Sequence, residues 1–134
     1  MPLSKNTEKY IRSLSQKKFR QQYNRFLAEG EKLVNEILQN SAVKVEILLA
    51  TNEWWAKNEG LYGLKDVQVE IVTEKELKKV SQLKTPNQVL VVAEKMNYQI
   101  DEVQLKNNWS IYLDRIQDPG NMGTIIRIAD WFGM

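Results

Sequence analysis

Three apolar, β-branched runs limit what this chain can become: Val43–Ala50, Val67–Val72 and Gln88–Ala93. The first alternates and then turns wholly apolar, as a strand buried on both faces does; the second alternates throughout, as a second core strand with one wetter face would. Between them lie stretches of helical type. Glu53 to Glu59 reads as a brief helix, and its adjacent Trp54 and Trp55 point about 100° apart, so at most one can face a core squarely. Thr73-Glu74-Lys75-Glu76 has the spacing of a capping box, which starts a helix running to about Ser81. Thr85-Pro86-Asn87 then ends it. Strands that alternate with helices imply an α/β fold with a parallel or mixed sheet covered on both faces.

Upstream, Thr7 to Ser15 reads as a first helix with Tyr10, Ile11 and Leu14 on its apolar side. From Phe19, the apolar residues Tyr23, Phe26, Leu27, Val34, Ile37 and Leu38 permit one long helix. Gly30 argues for a break, since a mid-helix glycine costs about 1 kcal/mol relative to alanine. Downstream, Lys95–Asn108 has weak periodicity and reads as a linker with one turn around Ile100–Leu105. Ser110–Leu113 is of strand type, and Pro119-Gly120 predicts a turn after it. From Thr124, Ile125, Ile128, Ala129 and Phe132 fall on one helical face, with Gly133 as the stop. Gly123, Arg127 and Asp130 occupy the other face, where Arg127 leans back over Gly123. Asn121 either caps this helix or turns its amide toward the same space. The plain alternative is a Pro-Gly turn, an Asn cap and a solvated Arg–Asp pair.

Asp118-Pro119-Gly120-Asn121-Met122-Gly123-Thr124-Ile125-Ile126-Arg127, ending in Ala129-Asp130-Trp131-Phe132-Gly133, closely resembles the first signature motif of the SpoU/TrmH branch of the SPOUT RNA methyltransferases. These enzymes move a methyl group from S-adenosylmethionine to a ribose 2′-hydroxyl. The resemblance implies that Asn121 and Arg127 take the catalytic positions. Pro119, Gly120 and Gly123 then set the loop geometry, with Gly123 at the point of close approach. Arg25-Phe26-Leu27-Ala28-Glu29-Gly30 followed by Glu31-Lys32-Leu33-Val34 looks like the family's first substrate-domain strand feeding its next helix, so a strand at about Arg25–Ala28 and a helix at Glu31–Gln39 are expected. The order of elements is similar to the family's substrate-binding domain, a small α/β/α sandwich resembling the ribosomal and kink-turn-binding fold.

The organisation implied is a substrate-binding domain over residues 1–95, a linker over 96–109 and, over 110–134, the first strand and helix of an incomplete SPOUT domain. The family's second and third motifs do not occur in these residues. The chain is therefore expected to be a fragment that binds RNA without catalysing. S-adenosylmethionine is the cofactor implied for the full-length enzyme, and none is expected for the fragment. A homodimer formed through the catalytic domain is implied for the full-length protein, and a monomer is the expectation for the fragment.

Composition narrows the chemistry further. There is neither Cys nor His in 134 residues, which removes disulfides, thiolate nucleophiles, Ser–His triads and nearly every zinc site; no metal is expected. No apolar run approaches a membrane span, and Met-Pro-Leu-Ser-Lys lacks the apolar core of a signal peptide, so a cytoplasmic protein is expected. Residues 1–25 hold Lys5, Lys9, Arg12, Lys17, Lys18, Arg20 and Arg25 against Glu8 alone, although the whole chain carries only +2. Lys9, Arg12, Lys17, Lys18, Arg20 and Arg25, interleaved with Tyr10, Phe19 and Tyr23, suit the phosphates and unpaired bases of RNA, ribosomal or transfer. A solvated basic helix with its aromatics buried would read the same way. Two further readings stand beside the methyltransferase: a non-enzymatic RNA-binding module of ribosomal-protein-like fold, and a protein-interaction domain with Trp131 and Ile126 on a dimer surface.

Overall fold

The computed structural model describes residues 2–134 and divides into two units, the first ending at Met96 and the second running from Asn97 to Met134. In the first unit the order is α1 (Lys5–Ser13), α2 (Lys17–Tyr23), β1 (Arg25–Glu29), α3 (Glu31–Gln39), β2 (Val45–Ala50), α4 (Asn52–Asn58), β3 (Gln68–Ile71), α5 (Glu74–Val80) and β4 (Val89–Glu94). The four strands form one mixed sheet in the order β1-β4-β2-β3. β3 runs parallel to β2, whereas β4 is antiparallel to both β1 and β2. Its central place explains why Val89–Ala93 are all buried.

Alternation along the strands sorts side chains to two faces. Leu27, Val92 and Ile47 lie in one cross-strand row, and with Leu49 and Leu90 they pack on Ile11, Leu14, Leu77 and Val80. Ala28, Val91 and Leu48 form the next row, and with Ala50 and Val89 they pack on Val34 and Trp54. Helices α1 and α5 thus cover one face, and α3 and α4 the other, giving the expected α/β/α sandwich. Of the tryptophan pair, Trp54 is buried and Trp55 is only half-buried.

Local signals place most element ends. Ser4 caps α1 by accepting from the Thr7 amide at 3.0 Å, so the helix starts at Lys5 instead of Thr7. No long helix runs on from Phe19: Asn24 takes a left-handed φ of 54° after α2, and the chain enters β1. Gly30 follows with φ 99°, a conformation that favours glycine, and opens α3. The capping box at α5 forms, with Thr73 and Glu76 exchanging side-chain and backbone bonds. A β-bulge inserts Glu46 between Val45, opposite Ala93, and Ile47, opposite Val92.

The second unit extends one expectation and corrects two. The linker carries a helix, α6 (Glu102–Asn107), started by Asp101, whose carboxylate accepts from the amides of Val103 and Gln104. Ser110–Leu113 forms no ladder, because a strand of this kind exists only where a neighbour accepts its backbone bonds. Pro119-Gly120 is not a turn but the first turn of α7 (Pro119–Trp131). Proline suits the first helical position, where its missing N–H has no helical partner in any case. No helix among the described residues is long and apolar enough to cross a membrane.

Candidate nucleic-acid interface and motif helix

With Ile11 and Leu14 turned into the core, Lys5, Lys9 and Arg12, spaced at four and three residues, project from the outer face of α1. Glu8 sits in the same stripe. Its carboxylate lies 3.6 Å from Arg12 Nη1 and 3.8 Å from Lys79 Nζ on α5. On α2, Lys17 and Lys18 are exposed, and Lys18 Nζ stands 5.6 Å from the centre of the Phe19 ring. Phe19 stacks on Tyr23 at 6.2 Å, and Tyr23 meets Tyr10 edge-on at 5.2 Å. The three aromatics are thus neither fully buried nor fully exposed. They form a chain from the core outward, in which Tyr10 packs against the core and Tyr23 is 40% exposed.

Two of the six predicted cations are engaged within the scaffold. Arg20 Nη1 donates to the carbonyls of Leu14 at 3.0 Å and Ser15 at 2.8 Å, holding the α1–α2 connection. Arg25 Nε donates to Glu46 at 2.5 Å and its Nη1 to the carbonyls of Tyr23 and Asn24 at 3.2 Å, with Glu94 at 3.8 Å. The hydrogen bond to Glu46 raises the Arg25 pKa above its ordinary value. Tyr10 donates to the same carboxylate at 3.2 Å. Burial first, and then the negative Glu46, push its hydroxyl pKa up to about 12. Lys9, Arg12, Lys17 and Lys18 are left facing solvent.

Two concavities differ in charge. A cleft of about 500 Å³ at the start of β2 is lined by Arg25, Lys44 and Lys65 but also by Glu46, Asp66 and Glu94, so its charges offset one another. A groove of about 690 Å³ is lined by Lys5, Lys9, Arg12 and Lys79, with Glu8 as its one acid and Phe19 on its wall. Lys79 escaped the sequence reading. Nothing in its position after a capping box signals that the fold brings it to Glu8.

In the second unit, Asp118 caps α7, its carboxylate accepting from the Asn121 amide at 2.7 Å. Asn121 is therefore the third residue of the helix and not its cap. Asn121 and Arg127 are six residues apart, which on a helix separates them by about 120° around the axis and about 9 Å along it. Gly123 shares the Arg127 side, and a Cβ there would meet no heavy atom within 4 Å; Arg127 does not fill that space. A Cβ on Gly120 would come within 3.1 Å of Asp118 Oδ2. Gly133, with φ 69°, ends the helix as expected, its amide bonding to Asp130 and that of Met134 to Ala129. Asp118 already occupies the N-terminus of this helix by bonding the Asn121 amide, and no chemical step through S-adenosylmethionine follows from these residues.

The fold and these residues match known proteins. The family model described as the MRM3-like substrate binding domain matches residues 5–91. The 23S rRNA (guanosine(2553)-2′-O)-methyltransferase RlmP of Bacillus subtilis is 32% identical over 123 residues, covering 92% of this chain and 46% of that protein. An AdoMet-bound rRNA methyltransferase from Sinorhizobium meliloti superposes with a TM-score of 0.68 at 32% identity, over 97% of this chain and 49% of that one. A TrmH-family structure from Porphyromonas gingivalis gives a TM-score of 0.73 at 30% identity, over 100% and 51%. The chain thus spans about half the length of these three proteins. It belongs to the MRM3-like substrate-binding-domain family of the SpoU/TrmH RNA methyltransferases.

Proposed function

We propose that this chain is the RNA-binding domain and first catalytic motif of an S-adenosylmethionine-dependent methyltransferase that modifies a ribose 2′-hydroxyl of ribosomal RNA. The observation that carries the reading is the pairing, in one chain, of a matched substrate-binding domain with the Asp118–Gly133 motif on a capped helix that leaves Arg127 exposed. That the relatives are ribosomal RNA methyltransferases favours ribosomal over transfer RNA. The whole protein works as a homodimer in the cytoplasm. By itself the present chain binds RNA and transfers no methyl group, because it spans only about half the length of its relatives; stoichiometric binding of S-adenosylmethionine in a calorimeter would contradict this.

In the complete enzyme Arg127 acts on the ribose. A guanidinium does not surrender its proton in a protein, so it orients the hydroxyl and stabilises the negative charge that develops there. Arg127→Ala in a protein carrying the whole catalytic domain should lower turnover about 10²–10³-fold and leave RNA affinity within about twofold. Equal losses in turnover and affinity would remove Arg127 from the chemistry. Asn121, in the first turn of the same helix, shapes the approach to that ribose.

A further inference from the structure

We propose that the groove between α1, α2 and α5 is a track for a single-stranded segment of the substrate RNA, with Lys5, Lys9, Arg12 and Lys79 on its phosphates and Phe19 against one base. The proposal rests on the RNA-binding reading above and specifies its site. Lys5, Lys9 and Arg12 rise from successive turns of α1, about 5–6 Å apart, and Lys79 comes in from α5. The four converge on one groove because Ile11, Leu14, Leu77 and Val80 bury the inner sides of both helices in one cluster. Burial of that apolar face also leaves α1 nothing to insert into a lipid surface.

Glu8 decides how the groove is charged. It lies between Arg12 and Lys79, at 3.6 and 3.8 Å; both cations are exposed, and long pairs that reach the surface are weak and screened by salt. Phosphates can therefore compete with Glu8 for both cations. Each phosphate that is neutralised releases counterions, so affinity should fall steeply with salt.

Phe19 selects the kind of RNA. Tyr23 stacks on its ring, while the Lys18 ammonium stands over the ring at 5.6 Å. A ring face that accepts a lysine head is open enough to accept a base, and the stacked Tyr23 holds the ring in place. Only an unpaired base can offer its face to such a platform, since in a duplex the faces are stacked on each other.

The test uses this chain and a labelled oligouridylate of about 12 nucleotides, titrated at several salt concentrations. Lys79→Gln should weaken binding severalfold and lower the salt slope by about 0.7, the contribution of one phosphate on a single strand. Phe19→Leu should weaken it on the order of tenfold. Glu8→Gln should tighten it severalfold, an outcome that damage to the fold cannot imitate. Lys44→Gln, the same charge change at an exposed site away from the groove, should change affinity least of the four. The groove is overturned if Lys44→Gln matches Lys79→Gln, if Glu8→Gln fails to tighten binding, or if duplex RNA of equal length binds as tightly as the single strand. A wild-type chain that binds no RNA at low salt overturns the RNA-binding reading itself.

Discussion

Helices α5 and α7 are both well punctuated, yet they are held by different forces. α5 has seven residues and starts on a reciprocal cap between Thr73 and Glu76. α7 has thirteen, starts on the Asp118 cap and ends in two backbone bonds around a left-handed Gly133. By local criteria α7 is the better helix. But Leu77 and Val80 of α5 are buried against the sheet, whereas no residue of α7 is buried. Caps decide where a helix begins and ends. Burial decides how much of the molecule depends on it, because short helices in water are marginal without tertiary packing.

The largest expected effect tests that difference directly. Leu77→Ala removes a side chain that is 1% exposed and should cost about 2–5 kcal/mol, the range for a buried leucine whose surroundings cannot fully collapse. Ile125→Ala, on the less exposed face of α7, should cost under about 1 kcal/mol. Urea denaturation of both variants measures the gap. Similar losses would mean that α7 is as deeply integrated as α5, and the contrast between them would be gone.

A smaller effect comes from the α5 cap. Glu76 accepts from the Thr73 amide at 2.8 Å, the Thr73 hydroxyl at 2.7 Å and the Leu3 amide at 2.9 Å. These bonds, those from Thr73 foremost, lower its pKa from 4.5 to about 2. Because the folded-state pKa is depressed, the stabilisation is fully present above pH 4.5 and is lost as pH falls toward 2. Glu76→Gln should therefore cost about 1 kcal/mol at neutral pH, the usual worth of a cap, and the gap to wild type should close in that acid window. A gap independent of pH would assign the effect to packing instead of charge.

How legible each region was follows from the same division. The α5 cap could be read because it lies within four consecutive residues, and the sandwich because three long apolar runs admit few other arrangements. In α7 the helix was legible, but its start was misplaced: Pro119 belongs to a turn or to a first helical position with equal right, and only the Asp118 contact settles which. Ser110–Leu113 has the composition of a strand, yet a strand is a property of a pair. The cations show a related limit. Charge counting groups Arg20 and Arg25 with Lys9, whereas the fold commits both arginines to carbonyls or carboxylates of the scaffold and recruits Lys79 from a helix far along the chain.

The smallest effect concerns the two glycines of α7 and separates helix stability from function. Glycine inside a helix is destabilising by about 0.5–1 kcal/mol relative to alanine. At Gly123 an added methyl meets open space, so Gly123→Ala should strengthen α7 by about that amount and slow amide exchange along the helix a few-fold. At Gly120 the methyl meets the capping carboxylate of Asp118 at 3.1 Å, and the propensity gain should be offset by a displaced cap. Were Gly123→Ala to speed exchange, α7 would be governed by something other than local propensity. Should it slow exchange and also depress turnover in the complete enzyme, the open space over Gly123 is reserved for a reaction partner, and this helix gives up local stability to keep it clear.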